Sequence, residues 1–121
     1  MAALIRPSLA VLLLSAACAS APAFADDCVA QVQAEQTRLD RAQDVQRTRE
    51  AANDLQLNRA LCQGRLDLLD ARYSLADDFE ACRRKGMEFP ERMARALSDA
   101  SDKLTDEKAA WIRICGPHMK D

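Results

Sequence analysis

The residue types that could carry chemistry in this 121-residue chain are few: five cysteines, one histidine and a short acidic run. Cys28, Cys62, Cys82 and Cys115 form an even set downstream of a leader-like N-terminus, and Cys18 lies within that leader. Structural zinc sites favour ligand pairs about two to four residues apart, and no two of these four cysteines are that close. Covalent haem attachment wants Cys-x-x-Cys-His, whereas His118 follows an isolated Cys115. Paired disulfides are the remaining chemistry, suited to an oxidising compartment. His118 and Met119 offer two donors for a soft metal, too few for a site and placed near the chain end. Asp77, Asp78 and Glu80 read as the solvated edge of a helix rather than a calcium or acid–base cluster. Nothing supplies a nucleophile with its base, so the sequence predicts a protein that is not an enzyme and holds no cofactor or metal.

The compartment follows from the first 25 residues. Arg6 precedes an uncharged run from Leu9 to Ala17, and Ala23 and Ala25 flank Phe24, a pattern that predicts a cleavable signal peptide over residues 1–25. The run is shorter than the ~20 residues of a spanning helix, so no stable membrane insertion is expected after cleavage. A rival reading is a lipid anchor on Cys18, since Leu14-Ser15-Ala16-Ala17-Cys18 resembles a lipoprotein signal with Ser15 in an aliphatic position. The whole chain carries a net charge of −2, and losing Arg6 leaves 16 basic against 19 acidic residues, or −3. Both signs are interspersed, which excludes the concentrated basic face of a nucleic-acid binder. The expected location is periplasmic or secreted.

These cysteines must be positioned by helices. From Asp26 to Lys85 there is no proline and one glycine, and Ala, Leu, Gln, Glu, Asp and Arg dominate. The fold class predicted is all-α, a small antiparallel three-helix bundle with helices near 28–52, 55–85 and 90–115. The domain would span residues 26–116, with 117–121 a flexible tail. The middle helix carries two apolar rows: Leu57, Leu61, Gly64, Leu68, Ala71, Leu75, Phe79 and Cys82, and beside it Cys62, Leu66, Leu69, Tyr73 and Ala76. Two rows imply two neighbours. The first helix has only a thin seam of Val32, Leu39, Ala42, Val45 and Ala52, and its Gln/Arg-rich face offers Arg38, Arg41 and Arg47 as a candidate interaction surface. Its end is placed at Asn53-Asp54, with Asp54 capping the next helix; Gly64 and one continuous helix are the alternatives. Gly86 and Pro90 mark the second turn, across which Phe89 is expected to meet Met93. Met93, Leu97, Ala100, Leu104, Trp111 and Ile114 form the third stripe, with Trp111 a core residue and Ser98–Asp106 polar enough for an irregularity.

The turns decide the cysteine pairing. Residues bridged across an antiparallel hairpin are equidistant from its turn, so their sequence midpoint falls near that turn. Cys62 and Cys115 are centred on the Gly86–Pro90 break, and Cys28 and Cys82 beside Asn53-Asp54. The predicted bridges are therefore Cys28–Cys82 and Cys62–Cys115. The nested pairing Cys28–Cys115 with Cys62–Cys82 would instead make a long two-armed hairpin, leaving Pro90 inside one arm.

Near its end the segment Leu104-Thr105-Asp106-Glu107-Lys108-Ala109-Ala110-Trp111-Ile112-Arg113, followed by Cys115, resembles the C-terminal part of the small periplasmic lysozyme-inhibitor family, which has a tryptophan, an arginine and a cysteine there. The resemblance covers about a tenth of the chain. It departs in the tryptophan-to-cysteine spacing and in the other cysteines, so no functional residue carries over. The function expected from the residues is an exported protein-interaction module of the bacterial envelope, such as an inhibitor, immunity factor or adaptor binding another protein. The alternatives are a stress-protective protein with weak client binding and metal carriage through His118 and Met119.

Overall fold

The computed structural model describes residues 27–120, so the predicted signal peptide and Cys18 lie outside the described residues. The chain is all-helical over this span: α1 (Cys28–Ala52), α2 (Arg59–Arg84), α3 (Glu91–Asp102) and α4 (Leu104–Met119). Asp27 starts α1 by accepting from the Ala30 amide at 3.2 Å. α2 runs back beside α1, and α3 and α4 return along α2. Cys28 is bonded to Cys82 and Cys62 to Cys115, with Cα separations of 5.8 and 5.4 Å. This is the pairing that the turn midpoints predict. The two rows of α2 accordingly serve different neighbours, Cys82 reaching α1 and Cys62 reaching α4.

The third helix of the sequence reading is two helices. Ser98, Asp99, Ser101 and Asp102 are weak helix formers, and at Lys103 the hydrogen bonding tightens to an i−3 contact, Lys103 N to Ala100 O at 3.3 Å. α4 also continues through Pro117 to Met119, beyond the predicted end at 115 and into the segment read as a tail. Proline here costs a hydrogen bond only in the final turn, and Arg59 Nη2 donates to the Met119 carbonyl at 2.8 Å, tying that turn to the start of α2.

The break between α1 and α2 falls after Ala52, as placed, but Asp54 does not cap α2. Asn58 does, accepting from the Leu61 amide at 2.9 Å. Asp54 and Leu55 instead take left-handed backbone, with φ of 53° and 60°. The amide of Leu55 bonds to the Glu50 carbonyl at 2.9 Å and that of Asp54 to Ala51 at 3.1 Å, the two-bond closure of a Schellman end. α2 ends in the same way, Met87 N to Cys82 O and Gly86 N to Arg83 O, but with Gly86 supplying the positive φ.

The main apolar core occupies the half of the bundle around Cys28 and Cys82. Val32 and Leu39 from α1, Leu75 and Phe79 from α2 and Leu97 from α3 form one buried cluster, with Phe89 and Met93 packed against it. Phe89 meets Phe79 edge-to-face, ring centroids 4.8 Å apart. Phe89 is thus drawn inward, and Met87 is half-buried.

Candidate functional site

The seam of α1 explains where the open site arises. Its buried positions are Val32, Leu39 and Gln46, one every seven residues, while Val45, Ala42 and Ala52 of the predicted seam are exposed. Seven residues make just under two helical turns, so the three share a face. The third is polar. Gln46 lies over Gly64 of α2, where a Cβ would stand 2.9 Å from the Gln46 Cδ. Its Nε2 donates to the Leu61 carbonyl at 2.8 Å and to Glu50 Oε2 at 2.9 Å, so its amide nitrogen is satisfied despite burial.

Beyond Leu97 the chain turns at Lys103, and α4 follows α2 toward the Cys62–Cys115 bridge. A cleft of about 350 Å³ then separates α1 from α4, with α2 as its floor. Arg65 and Arg72 rise from that floor with Leu68 and Leu69; Gln43, Gln46, Arg47 and Glu50 form one wall, and Glu107, Trp111 and Ile114 the other.

Each floor arginine is held by a wall carboxylate. Arg65 grips Glu50 through Nε and Nη2. Arg72 Nη1 donates to Glu107 Oε2 at 3.1 Å. Gln43, with its amide oxygen turned to Arg72, accepts from Nε at 2.9 Å and Nη2 at 2.7 Å. Arg72 thereby joins α1, α2 and α4. The Arg65 guanidinium holds the Glu50 carboxyl below its usual range, against the opposing effect of burial, and Glu50 in turn raises the affinity of Arg65 for its proton. Trp111 is half-buried rather than a core residue: its indole Nε1 donates to the Cys62 carbonyl at 3.0 Å while its ring lines the cleft.

The three arginines expected to form one surface do not share a face. Nine residues separate Arg38 from Arg47, which is about 180° around an α-helix. Arg38 borders a groove on one flank of the α1–α2 contact with Val45 and Arg49, and Arg47 borders the cleft on the other flank. Arg38 pairs with Glu35 and Arg47 with Asp44, both on the helix surface; Arg41 is exposed. Only Arg47 belongs to the cleft. His118 is exposed and Met119 half-buried at the end of α4, and no group of three or more His, Cys, Asp or Glu fit to hold a metal occurs among the described residues. Asp77, Asp78 and Glu80 are exposed, Glu80 pairing with Arg83 at 3.2 Å.

Sequence reasoning missed Gln43, Gln46, Glu50, Arg65, Arg72 and Glu107. One of them left a trace: Gln46 continues the seven-residue spacing of Val32 and Leu39, and its counterpart Gly64 stands unfilled in the best apolar row of α2. No protein family, curated protein or solved structure matches this chain.

Proposed function

We propose that this protein is a non-enzymatic interaction module of an oxidising, extracytoplasmic compartment and that it binds another protein through the cleft between α1 and α4. The observation that carries this reading is the cleft itself, open to solvent, with apolar side chains from two helices set beside guanidinium groups, the mixture that protein-recognition sites use. Two disulfides are compatible with export, and among the described residues no helix is long and apolar enough to cross a membrane.

Cross-linking of the oxidised protein in envelope extract, followed by quantitative mass spectrometry, tests the reading. One or a few partners captured in fixed stoichiometry are expected. Charge reversal at Arg47 should slow association, more at low salt than at high, whereas reversal at Arg38 or Arg41 should change it little. Turnover of a substrate by the pure protein, or weak suppression of aggregation across unrelated clients without a stoichiometric partner, would displace this reading.

A further inference from the structure

We infer that the cleft is a docking groove for a short amphipathic acidic helix of the partner, an inference that rests on the protein-binding reading above. The fold displays a template for the occupant. In the Cys28–Cys82 half, α3 sends Leu97 into the space bounded by Val32 and Leu39 of α1 and Leu75 and Phe79 of α2. In the other half α1 and α2 continue, but Lys103 has turned the chain and α4 stands off as a wall. The groove therefore extends the trough that α3 fills. Its floor runs from Arg65 to Arg72, seven residues or about 10 Å along α2, the length of two helical turns. A partner helix laid there would seat aliphatic side chains one turn apart against Leu68, Trp111 and Ile114.

Charge selects the partner's sign. The lining holds three arginines, Arg47, Arg65 and Arg72, against two glutamates, Glu50 and Glu107, in a chain whose net charge is −2. Glu50 is engaged by both Gln46 and Arg65 and is unavailable to an incoming cation. Arg47 faces Asp44 with both side chains about three-quarters exposed, a weak, solvent-screened surface pair that a new carboxylate can replace. Arg72, with its side chain 30% exposed, can share a second carboxylate with Glu107. The partner segment is thus a helix with Leu- or Met-like anchors flanked by Asp or Glu two turns apart.

The test uses the full oxidised chain and two synthetic helical peptides of about 15 residues, one with two leucines flanked by glutamates two turns apart, its twin with lysines in their place. Binding is followed by Trp111 fluorescence, since Trp111 is the only tryptophan, and by amide NMR shifts. The glutamate peptide should bind at least roughly tenfold tighter than its twin at low salt, with the advantage shrinking as salt rises. Its shifts should fall on residues 43–50, 65–72 and 107–114. Arg47→Glu should reverse the preference, and Ala110→Phe, which fills the groove, should weaken both peptides without lowering Tm. Equal binding of the twins, shifts confined elsewhere or indifference to Arg47→Glu would overturn the inference. A natural partner bound equally by wild type and Ala110→Phe would also overturn it while leaving the protein-binding reading intact; lack of any stoichiometric partner would count against that reading instead.

Discussion

At the Cys82 end of α2 a left-handed glycine, Gly86, reverses the chain, Met87 is drawn half inside, and Phe89 lies against Phe79. At the far end of α1 the same hydrogen-bond closure is built on Asp54, and Leu55, also left-handed, stays 74% exposed. The residue it would pack on in that motif is Glu50, which is committed to Arg65. The contrast extends through each half. Each half has a disulfide, but one is closed by a five-residue apolar cluster, whereas the other buries Leu61, Leu69 and Leu104 separately and adds a buried glutamine and two ion pairs around an open cleft. Polar contacts of this kind fix register without filling volume, and so they can brace a groove that an apolar seam would have closed.

The largest expected effect lies in the closed half. Phe79 is fully buried, so Phe79→Ala should cost ~3–5 kcal/mol in denaturant unfolding. Ile114→Ala, in the cleft wall and 44% exposed, should cost under ~1 kcal/mol. Similar losses from both would mean that the halves are not so different. The disulfides come next. Their cysteines are 54 and 53 residues apart in sequence, so chain entropy gives them nearly equal worth, ~2–4 kcal/mol each. Replacing Cys62 and Cys115 by serine should in addition speed amide exchange along α4, because besides Cys115 only Leu104, at its start, is buried; replacing Cys28 and Cys82 should leave α4 protected.

A reversal of sign is expected at Gly64. Gly64→Ala alone should destabilise by ~1–2 kcal/mol, since the new methyl displaces Gln46 from the Leu61 carbonyl. In a Gln46→Ala background the same change should stabilise by ~0.5–1 kcal/mol through helix propensity, a double-mutant cycle read by thermal melts. Leu55→Gly should raise stability by up to ~1 kcal/mol by relieving left-handed backbone, whereas a loss would mean that Leu55 packs on something after all.

The smallest effect is electrostatic. The folded-state carboxyl of Glu50 titrates below the ordinary glutamate value that it regains on unfolding, so its contribution is present above that ordinary value and is lost as pH falls through the lower folded value. Arg65 stays charged throughout. Melting temperature should therefore decline on acidification through and below the ordinary glutamate range, less steeply in Glu50→Gln, and identical slopes would remove the ion pair from the account of the open half.

Much of the closed half was legible because its signals are apolar letters at helical spacing and a glycine–proline turn. The cysteine pairing followed from the turns at Asn53-Asp54 and Gly86–Pro90, with Pro90 counting against the nested alternative. The open half was harder to read for physical reasons. A buried glutamine satisfied across a helix pair looks, in sequence, like the solvated glutamines on either side of it, so the seam of α1 was traced through Ala42 and Val45 instead. Arg72 is one charge among many until Gln43 and Glu107 are brought around it. The polar stretch Ser98–Asp106 did mark the irregularity, but not that the turn at Lys103 would separate one helix into a piece that closes the trough and a piece that leaves it open.

The two cross-links also interlock along the chain: one bridge begins before Cys62 and ends after it, and the other begins before Cys82 and ends after it. A protease that cut once anywhere between Cys28 and Cys115 would leave every fragment bonded to the rest. Even cuts at both reversals, 53–58 and 85–90, would yield three helical pieces still joined through α2. In a compartment rich in proteases, such a molecule would gain the mass of one water at each nick and part only on reduction.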